Sequence, residues 1–229
     1  MERWWSGRTR RHGRDAAAAP RASGAGVTGR RRSLPAAWSI APAILLTAVT
    51  AAVLAQTRYV TGPPPAHTGG FGEPTCYACH MESGPNTGEG TLVLRGLDGV
   101  YKPGTAHRIA VELTSPQMRR GGFQLAVRFA EGPAAGKQAG TLRAVDEGVA
   151  VTTDSTGIQY AHHLETGTEL VAPGTARWTL EWTAPPDGAE GDVVVFHIAA
   201  NAADDDASPF GDLIFTDSVR VRAAPADSR

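Results

Sequence analysis

Two cysteines and a histidine within five residues carry the most specific chemistry of this chain. They are Cys76, Cys79 and His80, set in Pro74-Thr75-Cys76-Tyr77-Ala78-Cys79-His80-Met81, and the chain has no other cysteine. On one helical turn, residues three apart point the same way. Both thiols can then reach the two vinyl groups of one porphyrin, and the next imidazole falls under the ring as proximal iron ligand. Cys-x-x-Cys-His is the attachment signature of a c-type haem. A redox-active dithiol is a rival, but it wants a βαβ context that this chain lacks. Half of a zinc site is another. With no third cysteine, zinc would have to recruit two or more distant histidines or carboxylates. Covalent haem c is the expectation, with Cys76 and Cys79 as thioether anchors and His80 on the iron.

The opposite face of the iron decides what such a haem does. An open sixth position admits small ligands, while two strong ligands favour electron transfer. Met81 is too close to His80 to reach the far face. His67, His107, Met118, His162, His163 and His197 remain. His107 shares the apolar side of its run with Ile109. His197 lies inside the apolar run from Asp192 to Ala200, where a buried, hydrogen-bonded imidazole is the ordinary outcome. His67 precedes Cys76 by nine residues in a Pro/Gly-rich stretch. A solvated linker histidine is ordinary there, although it could swing back to the iron.

Positioning these residues falls to a chain of 229 residues, enough for one or two domains. Its net charge of −1 hides a split: residues 1–36 hold nine Arg against Glu2 and Asp15, a net of +7, leaving −8 on residues 37–229. Residues 1–36 are Arg-, Ala- and Gly-rich without periodicity and read as a disordered basic N-terminus, with Val27 a candidate alternative start. The run Arg30-Arg31-Arg32-Ser33-Leu34 faintly resembles a twin-arginine signal, but haem is attached to an unfolded chain after export. Residues 37–56 are expected to be a transmembrane or signal helix. Trp38 to Ala55 is mostly apolar and uncharged, close to the roughly 17–25 residues that a crossing takes. A basic flank before an apolar span follows the positive-inside rule, so nucleic acid is not an expected partner. Val53-Leu54-Ala55 also suits cleavage of an export signal. As anchor or as cleaved signal, the segment puts residues 56–229 outside the cytoplasmic membrane.

Residues 57–90 read as a linker carrying the haem motif, its three prolines favouring a semi-rigid spacer. From 91 to 222 the pattern changes. Ile109, Val111 and Leu113 alternate with Arg108 and Glu112; Phe123, Leu125, Val127 and Phe129 with Gln124 and Arg128; Trp178, Leu180 and Trp182 with Arg177, Thr179 and Glu181. Asp192 to Ala200 is apolar on both faces, as a central strand would be. Leu213, Phe215, Val219 and Val221 mark a last strand, with Asp217 interrupting its apolar face. Weaker strands near 91–94, 141–145, 149–153 and 158–162 bring the expected number to eight or nine. The fold class is mainly β: an antiparallel, immunoglobulin-like β-sandwich, with a disordered tail at 223–229. Small soluble cytochromes c are helical, so the haem peptide reads as an appendage to a β-domain. Asp204-Asp205-Asp206 with Asp212 could hold calcium, although a solvated Asp turn is the ordinary explanation.

Residues along the β-region resemble the bacterial relatives of the reelin (reeler) domain, the choice-of-anchor V domain proteins. Beyond the Cys-x-x-Cys-His lead-in they are Gly122-Phe123-Gln124-Leu125, Gln138-Ala139-Gly140, Tyr160-x-x-His163, and Trp178 with Trp182-Thr183-Ala184-Pro185. Ala199-Ala200-Asn201-Ala202-Ala203 and Gly211-Asp212-x-Ile214-Phe215-Thr216 complete the set. The resemblance implies an envelope or secreted β-sandwich with a variable anchor. It also singles out His163 as the distal iron ligand, ahead of His162 and His67. Two departures stand out: animal reeler domains rely on disulfides, and many bacterial relatives are anchored at the C-terminus. Here Ala223 to Arg229 is polar, so the expected anchor is N-terminal.

The function expected is that of an exported or membrane-anchored mono-haem c-type cytochrome, passing electrons to an unidentified envelope partner. The alternative is a non-catalytic binding, adhesion or haem-sensing module. An enzyme finds little support: no Ser-His-Asp set, phosphate loop or paired carboxylates stand out.

Overall fold

Alternating apolar and polar residues set most of the strands, and the polar turns between them fold these strands back on one another. The computed structural model describes residues 60–186 and 191–225; the expected basic N-terminus, the 37–56 helix and the last four residues lie outside them. The strands are β1 (Thr91–Arg95), β2 (Val100–Tyr101), β3 (Ala106–Thr114), β4 (Arg120–Phe129), β5 (Thr141–Ala144), β6 (Val149–Thr153), β7 (Gln159–His163), β8 (Thr175–Thr183), β9 (Val193–Ala203) and β10 (Leu213–Ala223). One sheet has the order β1-β3-β8-β5, the other β2-β10-β9-β4-β7-β6. All pairs are antiparallel except the short β10–β2 contact. The chain is therefore mainly β, in two sheets. The two-residue β2 is not foreseeable from the sequence, having no alternation of its own.

The core lies between the sheets. Trp178 of β8 stacks on Phe123 of β4 at 4.6 Å. Trp182 meets Phe196 of β9 edge-on at 5.0 Å and Tyr101 at 5.2 Å. Each buried indole finds an acceptor, Trp178 Nε1 donating to Gly167 O (2.7 Å) and Trp182 Nε1 to Ala139 O (2.9 Å). Those bonds remove the penalty of burying an N–H in an apolar layer.

β3 keeps the expected half-buried pattern, with Ile109, Val111 and Leu113 inside. β4 does not: Gln124 and Arg128, expected on a solvent face, are buried. The cause is a second layer. Residues 60–82 cross the outer face of the six-stranded sheet as a strap. Gln124 Nε2 donates to Pro64 O (2.9 Å), and its Oε1 accepts from the His67 N–H (2.6 Å). Gly70 lies so close that a Cβ there would meet His197 Cγ at 2.4 Å. The 57–73 stretch, whose composition suggests a spacer, is thus packed onto β4, β7 and β9 from residue 60 onward. The same cover explains why β9 is apolar on both faces.

Candidate haem-attachment site

Cys76–Ala78 forms one 3-10 turn at the end of the strap. Thr75 caps it, its Oγ1 accepting from the Tyr77 N–H (3.2 Å). The N–H groups of Cys79 and His80 both donate to Cys76 O at 3.1 Å. The turn is tied down on both sides. Upstream, the Glu73 carboxylate forms a buried ion pair with Arg128 and accepts from Tyr160 Oη (2.7 Å) and Thr68 Oγ1 (2.5 Å). The Arg128 guanidinium lies 5.3 Å from the centre of the Phe71 ring. Downstream, the Glu82 carboxylate accepts from the Gly211 N–H, and Asn86 exchanges hydrogen bonds with Thr216 of β10. Three-residue spacing and a rigid mount therefore coincide.

His80 leans on the β9–β10 hairpin. Its Nδ1 lies 2.6 Å from Oδ2 of Asp212, a residue only 2% exposed. A carboxylate accepts, so the hydrogen of this contact belongs to Nδ1, and Nε2, with Asn201 Nδ2 at 3.5 Å, is the ring nitrogen left to face an iron. Asn201 Nδ2 donates to the same Asp212 oxygen (3.0 Å) and lies 3.3 Å from His80 Nδ1. The Asp204 N–H donates to Asp212 Oδ1 (3.3 Å). A ligating histidine whose other nitrogen donates to a carboxylate is the arrangement by which proteins fix imidazole orientation at metals.

Desolvation pushes the Cys76 thiol up to about 12, with the charge of nearby Cys79 adding to the rise. Redox dithiols work by the opposite shift, a depressed thiolate pKa. The site is thus poorly suited to disulfide exchange. Among the described residues, no three His, Cys, Asp or Glu side chains are placed to hold a metal ion. Zinc would need such a group; a haem iron brings four of its own ligands. One observation fits a haem. Of the large apolar side chains most exposed among the described residues, Tyr77, Met81 and Phe210 lie on the motif or next to Gly211. A flat apolar ring beside His80 would cover such groups.

No protein-family model and no curated protein matches the sequence. Solved structures do. The reelin-N domain of F-spondin is 20% identical with a TM-score of 0.42, over 65% of this chain and 96% of that one. A human F-spondin reeler domain is 21% identical with a TM-score of 0.39, over 61% and 93%. A cohesin module from Clostridium perfringens is 12% identical with a TM-score of 0.40, over 60% and 98%.

The distal candidates part company in space. His162 is 8% exposed, with Nε2 bonded to Thr152 Oγ1 (3.0 Å) and Nδ1 to His163 O (2.9 Å). His67 turns Nδ1 to Pro64 O and Pro65 O. His107 is on the other sheet, bonded to Thr105 Oγ1 and tilted over Trp182. Met118 is 2% exposed in the core. His197 sits under the strap, with Phe71 edge-on at 5.4 Å. His163 ends β7, where the ladder to β4 stops, and its Nδ1 accepts from the Phe123 N–H (3.0 Å) in place of a backbone carbonyl. Its ring lies over Gly122, whose partner across the ladder is Asn201. His163 and His80 thus stand over neighbouring strands of one face.

Asp212 and Asn201 are the residues that the motif alone does not reveal. Both lie in blocks of the reeler resemblance, which marks them without giving a role. The other acidic side chains near them serve the loop: Asp204 and Asp206 accept from backbone N–H groups, and Asp205 pairs with Arg120 at 2.6 Å.

Proposed function

We propose that this chain is an exported or membrane-anchored mono-haem c-type cytochrome that carries electrons in the bacterial envelope. Cys76 and Cys79 tether the haem and His80 binds its iron. One observation carries the reading: the motif sits on a single clamped turn, with Cys79 exposed, Cys76 partly covered and His80 oriented through Nδ1. When bound, the haem supplies one-electron iron chemistry. The chain contributes the tether, the fixed imidazole and an apolar rim from Tyr77, Met81 and Phe210. The finer details belong to the same proposal: an immunoglobulin-like sandwich, an N-terminal helix in the cytoplasmic membrane with the N-terminus inside, or release after signal cleavage.

A second reading, a binding or sensing module whose iron takes a small gaseous ligand, rests on a separate observation. His162, His67, His107 and Met118 are all engaged elsewhere, so the sixth position stays open to a small ligand unless His163, the distal ligand of the first reading, takes it. Coordination state separates the two readings. Electron transfer expects a six-coordinate low-spin haem whose Soret and α bands move in His163→Ala. Five-coordinate spectra that His163→Ala leaves unchanged support the sensing module. The prior test is intact mass and a pyridine haemochrome spectrum of the exported protein, expected to show one covalent haem; a mass equal to the bare polypeptide overturns both.

A further inference from the structure

We infer that Asp212 is a positioning and tuning residue for His80, one that lowers the reduction potential of the bound iron. This inference rests on the proposed haem attachment. Its basis is geometric. Asp212 is buried, and three donors surround its carboxylate: His80 Nδ1 at 2.6 Å, Asn201 Nδ2 at 3.0 Å and the Asp204 N–H at 3.3 Å. Such donors fix the carboxylate in place. Its shortest contact is to the histidine.

A neutral carbonyl opposite Nδ1 would orient the ring and do little more. A carboxylate at 2.6 Å also draws the Nδ1 proton towards itself, so the Nε2 lone pair becomes a stronger donor. Stronger axial donation stabilises ferric iron over ferrous, and axial-ligand chemistry with its hydrogen bonds is one of the levers that set haem potentials. The negative charge itself acts the same way, favouring the iron state of higher positive charge. Asn201 has a supporting part. Its Nδ2 shares Oδ2 with His80, which prevents the carboxylate from rotating away. The hairpin supplies both residues from adjacent strands, Asn201 within β9 and Asp212 just before β10.

Asp212→Asn tests this in the full exported chain, because the amide retains an acceptor but not the charge. Three readouts apply: pyridine haemochrome yield, midpoint potential by spectroelectrochemistry, and the iron–imidazole stretching band of the ferrous protein after CO photolysis. The expected result is haem content as in the parent, a positive shift in potential and a lower-frequency band. Normal haem content with parental potential and band overturns the inference and leaves the haem reading standing. A parent protein without covalent haem overturns both, and the haemochrome assay shows which has failed. Should Asp212→Asn not mature, the parent decides alone. With 15N-labelled histidine in the ferrous CO form, a His80 Nδ1 resonance displaced towards imidazolate supports the inference. One at the position of a neutral, carbonyl-bonded imidazole overturns it.

Discussion

Cys76, Cys79 and His80 are legible from sequence because their geometry closes within one turn. No tertiary contact is needed to put residues three apart on one side. Asp212 and Asn201 reach His80 through the pairing of β9 with β10, and Asn201 is 121 residues from its partner. Nothing local to the motif could indicate them. Cys76 is half-buried, and the desolvation of its thiol is likewise a tertiary effect that makes a prediction at this scale. The Cys76 thiol is pushed up to about 12 from an ordinary 9.0. Each unit costs a tenfold drop in thiolate at fixed pH, so its alkylation in the folded, haem-free chain at pH 8 should be on the order of a thousandfold slower than that of an unperturbed thiol. Iodoacetamide labelling followed by peptide mass spectrometry, with Cys79 of the same molecule as internal reference, checks this. Equal labelling of the two sites would rule out a buried Cys76 thiol.

At the scale of elements, period-two alternation locates β3, β4, β8 and β10, and a doubly apolar run locates β9. The strap leaves no such signal. A Pro/Gly-rich stretch has no period, and the ion pair that helps attach it ends on Arg128, a residue that the alternation of β4 assigns to solvent. Buried charge is hidden from the pattern, because charged residues at alternate positions normally mean an exposed face. The side chains of Glu73 and Arg128 are 10% and 8% exposed. Removing one member of a buried pair strands the other, at a cost of about 3–5 kcal/mol. Glu73→Ala should therefore lower the urea midpoint strongly and open the strap to proteolysis ahead of the sandwich. Glu73→Leu combined with Arg128→Met should recover most of the loss, since neither charge is then buried alone. A Glu73→Ala midpoint within error of the parent would show that the strap is held by its other contacts.

For the whole molecule, the layer of strap on sheet means that the Cys76–His80 turn and the sandwich cannot be treated as separate bodies, and His197 sits in the joint between them. Gly70 and Phe71 cover it from the strap. Burial holds its pKa below the ordinary 6.5, helped by the charges of Arg128 and Arg220. An unfolded chain releases this histidine to its ordinary value. Well above that value both states are neutral at this position and stability does not depend on it. As pH falls through 6.5, the unfolded state takes up a proton that the folded state refuses, so stability declines until the folded value is reached. Two lowered carboxylates act below that window. Glu112 is lowered chiefly by its hydrogen bond from Arg177, and the hydrogen bonds of Asp154 from Thr156 and Ile158 lower it against the opposing effect of burial. Their contributions are lost only below their ordinary values of 4.5 and 3.8. Urea midpoints measured from pH 8 to pH 5 should therefore fall for the parent and fall less for His197→Gln. Acid should then loosen the strap against the sheet that holds His80. Parallel slopes for parent and variant would place the acid sensitivity elsewhere than in this joint.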